Sequence, residues 1–202
     1  MPGDEVKYNK ERLNPERKVY LLLNKPKDYV TSVEDPHAKR TVMELVEHAC
    51  KERIYPVGRL DRMTTGVLLF TNDGSLALKL THPANDIRKI YQATLNKKLS
   101  QQDFEKIAAG LSLEDGFIKP DELAYLDEDE RNVGIEVHSG RNRIVRRIFE
   151  SFDYNVTKLD RVYFAGLTKK GISRGKWRFL TPAEVNSLKM LKENEKEPET
   201  KE

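Results

Sequence analysis

Apolar residues occur along this chain in short runs, and their spacing predicts strands in five places. Continuous apolar runs at residues 19–23 and 67–71 are typical of buried strands, and a shorter run lies at residues 54–57. Residues 90–95 alternate between apolar and polar, as a strand with one buried face does, and residues 116–137 predict two or three further strands.

Apolar residues at helical spacing predict five helices between and after these strands. The predicted helices begin at Thr41, Gly74, Ser100, Ile144 and Thr181, and the first runs through residue 49. Ser100 followed by Asp103 resembles a capping box, and Thr181 with Glu184 is a strong start signal. Because strands and helices mix without a regular βαβ spacing, the pattern favours an α+β fold with a mixed, mainly antiparallel sheet and flanking helices.

Three segments are predicted along the chain. Residues 1–17 are polar and form a lead-in, residues 18–190 form one folded domain, and residues 191–202 form a charged tail. We expect the tail to be disordered, because it has no periodic apolar face to bury.

Composition excludes several classes of protein. Of the 202 residues, 38% are hydrophobic and 34% are charged, which is polar but not a disordered composition. No apolar run approaches the ~18 residues that a membrane helix needs, and the first residues are too charged for a signal peptide. The single cysteine, Cys50, excludes an intramolecular disulfide framework, and the four histidines lack metal-ligand spacing. We therefore expect a soluble cytoplasmic protein without a bound metal.

The net charge of +3 hides a strong segregation of charge along the chain. Residues 112–130 carry eight acidic side chains against one lysine, whereas residues 139–147 hold four arginines and no acid. Residues 158–178 add seven basic side chains against one aspartate. Such clusters are typical of a face that binds a polyanion such as nucleic acid, but solvated charged faces give the same pattern. Charge alone leaves both interpretations open.

One acidic residue stands in an unusual setting. Asp61 lies in a loop between two predicted strands, next to Arg59 and Arg62 and close to Gly58 and Gly66. A loop supported by strands can hold a carboxylate rigidly at a cleft, and a nearby cation keeps it ionised. By composition alone, a turn aspartate in a structural salt bridge is the favoured interpretation. Phosphate-binding glycine loops and zinc-binding helix motifs are absent from the sequence.

The order of residues around Asp61 is more specific. Gly-Arg-Leu-Asp-x-x-Thr-x-Gly, followed by four apolar residues and Thr-Asn, spans residues 58–72 and resembles the signature of the ribosomal RNA pseudouridine synthases. The branch it resembles contains the RsuA-type and RluB-type enzymes, and the RluB-type large-subunit enzymes are the more similar. Further matching stretches are Leu21 to Pro26, Lys89-Ile90-Tyr91, Gly140 to Phe149, Leu159-Asp160-Arg161 and Gly175 to Thr181.

Two positions depart from the family pattern. Asp28 stands where the family usually has glycine, which we interpret as a local turn variant, and Ile144 stands where glutamine is frequent. Many members begin with a small S4-type RNA-binding domain, and residues 2–6 look like its end. The resemblance thus indicates either a natural short form or a chain cut just after that domain, and we favour the cut.

The resemblance implies the pseudouridine synthase catalytic fold with a central RNA-binding cleft, and isomerisation of a ribosomal uridine to pseudouridine without a cofactor. It assigns Asp61 as the catalytic carboxylate, which acts either as a nucleophile or as a base on the sugar. It pairs Arg146 with Asp61, although a phosphate contact is the alternative. It places Tyr91 against the flipped-out base, although a role in the sheet core is the alternative.

A group of basic side chains would then bind the RNA around the target. The expected RNA-binding residues are Arg59, Arg62, Lys89, Arg141, Arg143, Arg147 and, as a weaker candidate, Arg161. The implied partner is ribosomal RNA, and the family expectation for the oligomeric state is a monomer.

Two other functions are alternatives to the enzyme. A non-catalytic RNA-binding or ribosome-assembly module could keep the same fold, but it would have no need for an acid among arginines that bind phosphates. A hydrolase that uses a single acid is weaker still, because no second carboxylate, histidine base or metal site is readable in the sequence.

Overall fold

The structure is a computed structural model that describes residues 16–32 and 40–191, together with the backbone of residues 7–8 and 11–12. Most of the predicted lead-in, and the predicted tail beyond Leu191, lie outside the described residues.

Thirteen strands and four α-helices are present in the described part of the chain. The strands are β1 (Lys7–Tyr8), β2 (Glu11–Arg12), β3 (Tyr20–Lys25), β4 (Tyr55–Pro56), β5 (Thr64–Thr71), β6 (Lys89–Leu95), β7 (Leu111–Leu113), β8 (Gly116–Ile118), β9 (Glu122–Tyr125), β10 (Asn132–Val137), β11 (Val156–Phe164), β12 (Leu167–Thr168) and β13 (Trp177–Phe179). The α-helices are α1 (Gly74–Thr81), α2 (Gln101–Ala109), α3 (Ile144–Glu150) and α4 (Pro182–Met190). Two short 3₁₀ helices occupy Val42–Leu45 and Pro83–Asn85.

Nine of these strands form one sheet, in the order β13-β3-β5-β11-β6-β10-β9, with β4 added to β5 and β12 to β11. Among the described strand pairs only β5 and β11 run parallel. The predicted α+β fold with a mixed, mainly antiparallel sheet is therefore confirmed. The strands β7 and β8 form a separate hairpin.

Both faces of the central strands are covered, which explains why their sequences read as continuous apolar runs. On β5, Val67 and Leu69 pack in a cluster with residues of α1 and α4, whereas Leu68 and Phe70 pack in a second cluster with Val42. A third cluster lies under α2 and α3 and includes residues of β6, β10 and β11.

The predicted helix at residues 41–49 is wrong in type. The structure has only the 3₁₀ helix Val42–Leu45 there, and the next turns continue with bonds three residues apart, from the Val46 N–H to the Met43 carbonyl. The segment is fixed from outside, because the Val42 N–H donates to the carbonyl of Val30. With its first turn held in this way, and with β-branched valines of modest helix propensity, a full α-helix does not form.

The other four helix starts are confirmed, with one difference in capping. Thr181 and Glu184 make the full capping box. At α2 the Ser100 hydroxyl caps the N–H of Asp103, but the Ser100 N–H donates to the Tyr154 hydroxyl at 3.2 Å. Tyr154 in turn donates to Asp103 at 2.7 Å, so a tyrosine completes the cap that a longer glutamate would have closed.

Gly66 allows the close approach of β5 to β11. Its φ is +106°, and a Cβ at this position would lie 2.1 Å from the carbonyl oxygen of Arg161. The glycine in the sequence signature therefore has a structural reason, since any side chain would collide with the neighbouring strand.

We expect Gly66→Ala to lower the free energy of unfolding by about 3 kcal/mol or more, because the methyl group meets backbone and cannot be accommodated by a rotamer change. Urea denaturation measures the effect. Gly166→Ala is the matched control, since Gly166 has a φ of +90° but no atom within 4 Å of an added Cβ. The free energy of unfolding of this control should fall by only about 1 kcal/mol, because alanine at this φ adds conformational strain but no collision. Equal losses in the two variants would contradict the steric explanation.

Candidate active site

Asp61 lies in the loop between β4 and β5, and hydrogen bonds hold that loop on both sides. The Thr31 hydroxyl donates to the Leu60 carbonyl at 2.8 Å and accepts from the Leu60 N–H at 3.2 Å. The Thr64 N–H donates to the Asp61 carbonyl at 3.0 Å, which closes a turn at the start of β5. The backbone of Asp61 is therefore fixed, while about a third (36%) of its side chain is exposed.

A buried lysine holds the same loop from below. Lys25 ends the apolar strand β3 and is fully buried, and its three N–H groups are shared among the carbonyls of Pro26, Asp61, Arg62 and Thr64, which lie 2.8 to 3.3 Å from Nζ. Burial lowers the pKa of Lys25 to about 8, against an opposing effect of Asp61 and Asp28. A single cation thus organises four carbonyl groups around Asp61.

The neighbouring turn docks on this loop as well. The Asp28 N–H donates to the Arg62 carbonyl at 3.0 Å, and the Arg62 guanidinium donates to the Asp28 carboxylate at 3.2 Å. Asp28 has a left-handed backbone with a φ of 69°, a conformation that aspartate tolerates. The interpretation of Asp28 as a local turn variant is therefore confirmed.

Two arginines of the α3 region face the Asp61 carboxylate. Its Oδ2 lies 4.0 Å from Nε of Arg146 and 3.7 Å from a terminal nitrogen of Arg143. Arg146 is buried, and its guanidinium also donates to the carbonyl of Val156 at 2.7 Å. Burial lowers the pKa of Arg146, and the charge of Arg143 adds to that effect. The sequence indicated Arg146 as the partner of Asp61, and the structure adds Arg143, which lies slightly closer.

Asp61 and Tyr91 line the same cleft, which has a volume of about 690 Å³. Tyr91 projects from β6 and packs against two of the three apolar clusters, so its ring is held at their boundary. Ile144 is buried and forms part of the cleft wall, which means that an apolar side chain stands where the family often has glutamine.

Three buried polar atoms around this cleft have no hydrogen-bond partner within the described residues. They are Oγ1 of Thr64, Nε of Arg146 and a terminal nitrogen of Arg161. Unpaired buried polar atoms are rare in folded proteins, because each costs free energy unless a ligand or water satisfies it. Thr64 and Arg161 line the cleft, and Nε of Arg146 lies 4.0 Å from Oδ2 of Asp61, so these three atoms belong to the surroundings of the site.

Comparison with known proteins assigns the chain to a family. Residues 19–151 match the sequence model of a family described as RNA pseudouridylate synthase. The chain belongs to this family. An uncharacterized RNA pseudouridine synthase of Aquifex aeolicus is 36% identical over 188 residues, which cover 92% of this chain and 75% of the relative. Ribosomal large subunit pseudouridine synthase B of Bacillus subtilis is 36% identical over 198 residues, which cover 96% and 81%.

A solved structure agrees with this assignment. The crystal structure of a pseudouridylate synthase is similar with a TM-score of 0.78 at 29% identity, and the match covers 93% of this chain and 81% of that chain. The resemblance inferred from the motifs and the predicted pseudouridine synthase fold are both confirmed.

Five of the seven predicted RNA-binding residues of this pseudouridine synthase line the cleft and are at least partly exposed. They are Arg59, Arg62, Lys89, Arg141 and Arg143. The Lys89 ammonium donates to the carbonyls of Ile87 and His138, and burial lowers its pKa to about 8. Arg143 has a left-handed backbone (φ 47°), which places it at the start of α3 between Asp61 and Glu150.

Arg161 also lines the cleft but is almost fully buried. Its Nε donates to the Val67 carbonyl at 2.9 Å, and its guanidinium lies 4.6 Å from the centre of the Phe164 ring. Arg161 is thus held from two sides within the wall of the cleft.

Arg147 is not brought to the cleft. Its guanidinium donates to both oxygens of Asp115 at 2.6 and 2.9 Å, and this bonding lowers the pKa of Asp115 to about 2. Arg141 lies 3.5 Å from the same carboxylate. Part of the basic segment 139–147 therefore neutralises the acidic segment 112–130 and fixes the β7–β8 hairpin, which the separation of charge along the sequence did not indicate.

Sequence reasoning missed two residues that position the site, Lys25 and Thr31. A signal for Lys25 was available, because a charged residue at the end of an apolar strand is either at the surface or paired inside. No local signal exists for Thr31, whose partner Leu60 is 29 residues away.

Within the described part of the chain, no group of three or more histidine, cysteine, aspartate or glutamate side chains could hold a metal ion. No helix among these residues has the length and apolar character needed to cross a bilayer.

We expect Lys25→Met to loosen the loop that carries Asp61. Methionine fills similar space but donates no hydrogen bond, so the loop carbonyls lose their shared donor, and the free energy of unfolding should fall by about 2 kcal/mol. Hydrogen exchange at the amides of residues 60–64 should accelerate. Lys27→Met, two residues along the same turn and exposed, is the control. Unchanged exchange in Lys25→Met would show that the ammonium does not hold the loop.

Proposed function

We propose that this chain converts a uridine of large-subunit ribosomal RNA into pseudouridine, with Asp61 as the catalytic carboxylate. The observation that carries the proposal is the position of Asp61, whose Oδ2 lies within 4.0 Å of two arginines in a cleft that Tyr91 also lines. The large subunit is proposed because the Bacillus subtilis relative, 36% identical, is named for that subunit.

The reaction requires one carboxylate close to the bond between ribose and base. The N1–C1′ bond breaks, the uracil rotates, and C5 joins C1′; the proton on C5 is released and N1 gains one, so no oxidant or reductant is needed. The carboxylate either attacks the sugar or the pyrimidine, or removes a proton from the sugar. Both routes place Asp61 in contact with the target nucleotide.

Arg143 and Arg146 make a carboxylate compatible with an RNA site. An isolated negative charge would repel the phosphates of an incoming strand, whereas two guanidinium groups near Oδ2 offset that repulsion. Arg146 is anchored to the carbonyl of Val156, so it stays in place when RNA displaces water from the cleft.

Tyr91 supplies the surface on which the target base lies. A base must leave its stack to reach Asp61, at a cost of a few kcal/mol, and stacking or edge contact with an aromatic ring offsets part of that cost. The ring of Tyr91 packs against two apolar clusters, so it loses little further conformational freedom when the base arrives.

The cations at the cleft bind the flanking phosphates. Arg59, Arg62 and Arg141 extend along the rim, and such contacts make affinity fall steeply with salt. Arg161 is assigned to the base or ribose inside the cleft, because its free nitrogen is buried there. Arg147 contributes indirectly, because its bond to Asp115 holds the β7–β8 hairpin in place.

The non-catalytic RNA-binding module is the alternative. It explains the cations but not a partly exposed acid held by Lys25, Thr31 and two arginines, since removing that acid would strengthen phosphate binding. Within the proposal the protein acts as a monomer in the cytoplasm.

We expect Asp61→Asn to abolish tritium release from ribosomal RNA labelled at C5 of uridine, while RNA affinity stays the same or rises slightly. The amide keeps the size of the side chain but removes the charge needed to attack or to accept a proton, and a loss of at least about 10³-fold in rate is expected.

Asp129→Asn is the matched control for this experiment. Asp129 is an exposed loop aspartate paired only at the surface with Arg131, so the same change of charge should leave turnover unaffected. Tritium release by Asp61→Asn at the wild-type rate would remove Asp61 from the catalytic role, and binding without release by the wild-type protein would favour the module.

We expect RNA binding to weaken as pH rises from about 7 to 9, because Lys89 then loses its charge. A lysine is charged below its pKa, and burial lowers that pKa to about 8, so the cation is fully present near pH 7 and largely gone by pH 9. The slope of log affinity against log salt should decrease in magnitude by about 0.7 to 0.9 if one phosphate contact is lost.

The variant Lys89→Arg separates this effect from other titrations. An arginine stays charged throughout this range, so its salt slope should remain constant between pH 7 and 9. A slope that changes equally in the wild-type and Lys89→Arg proteins would show that another group is responsible.

A further inference from the structure

A second groove opens beside the cleft, and the roles described above do not use it. It has a volume of about 830 Å³, and we call it the hairpin groove because residues 117–121, at and after β8, form one wall. Six residues line both the hairpin groove and the cleft of Asp61: Thr81, Pro83, His138, Ser139, Gly140 and Arg141. The two spaces therefore lie side by side, so a strand that leaves the cleft on this side is next to the hairpin groove.

The wall of the hairpin groove carries an exposed aromatic ring in a fixed position. Phe117 is 60% exposed, although the end of its ring rests on Gly110 so closely that a Cβ there would lie 2.3 Å from Cζ. Arg141 donates to the carbonyls of Gly116 and Phe117 at 3.1 and 2.8 Å, which holds the backbone beneath the ring.

Positive charge accompanies this ring. Lys119 lies on the same side, since its Cβ would be 3.1 Å from a Cβ placed on Gly110, and both Lys119 and Arg141 line the groove. At the other end of the groove, the carboxylate of Asp121 lies 2.8 Å from Nδ1 of His138. Because a carboxylate repels a phosphate, we expect the phosphate beside Lys119 and not beside His138. An aromatic face beside cations is the arrangement with which proteins bind unpaired nucleotides.

We propose that the hairpin groove binds an unpaired nucleotide on the same RNA strand as the target uridine, with its base stacked on Phe117 and its phosphate near Lys119. The assignment rests on the proposed function, because that function places an RNA strand in the adjoining cleft. It gives the enzyme a second point of recognition outside the reacting nucleotide, and this point requires an unpaired base.

The test measures binding of a fluorescent oligouridine about twelve nucleotides long, within the size range of single-strand sites. Phe117→Ala and Phe117→Leu should each weaken binding about ten-fold, because leucine restores apolar volume but not a flat ring. The salt slope should stay unchanged in both variants, whereas Lys119→Ala should reduce it by about 0.7. Phe117→His at pH 8 keeps a shorter aromatic ring and should retain most of the affinity.

Phe179→Ala is the matched control. Phe179 is 46% exposed and lies on β13, at the opposite edge of the sheet from β9. The Phe179→Ala protein should therefore bind oligouridine like the wild-type protein. Wild-type affinity in Phe117→Ala would overturn the proposal. Affinity retained by Phe117→Leu would also overturn it, since an apolar contact, as with a protein partner, would then suffice.

Tritium release by the wild-type protein, measured in parallel, distinguishes this inference from the proposed function. Loss of oligouridine binding in Phe117→Ala without any wild-type tritium release would support the hairpin groove and contradict the enzyme. Wild-type tritium release combined with unaltered binding and turnover in Phe117→Ala would support the enzyme and overturn the hairpin groove.

Discussion

The parallel pairing of β5 with β11 is the constraint on which the site depends. Parallel strands begin at the same end of a sheet, so the segments that precede them are brought together. The loop with Asp61 precedes β5, and α3 with Arg146 precedes β11, which explains how residues 85 positions apart in the sequence face one another across 4.0 Å. Gly66 makes this pairing possible, because its position leaves no room for a side chain.

Several polar groups are buried around this junction. Lys25 is fully buried yet organises the carbonyls of the loop that carries Asp61, and Arg146 and Arg161 each keep a nitrogen without a hydrogen-bond partner among the described residues. Such groups lower stability when nothing is bound, and a polar substrate that satisfies them recovers part of that loss.

The arginines near α3 show why residue type alone does not give a role. Arg143 and Arg146 face Asp61, whereas Arg147, one residue further along, bonds Asp115 and stabilises the β7–β8 hairpin. Helical geometry sends adjacent side chains about 100° apart, so neighbours on a helix serve different surroundings. The acidic segment could be recognised in the sequence, but its contact with these arginines depends on the hairpin fold.

The sequence by itself determined the strands β3 to β6, the strands within residues 116–137, most helix starts and the fold class, which follow from local periodicity and capping residues. It did not indicate β11, on which the site depends. Asp61 stood out by its loop setting, whereas Tyr91 and Arg146 became candidates only through the resemblance to the pseudouridine synthases. Only the tertiary structure decided that Lys25 and Thr31 hold the loop, that Arg143 joins Arg146 at Asp61, and that Phe117 borders the cleft. Those relations connect residues far apart along the chain, and their geometry is fixed by strand pairing and packing, which no local pattern encodes.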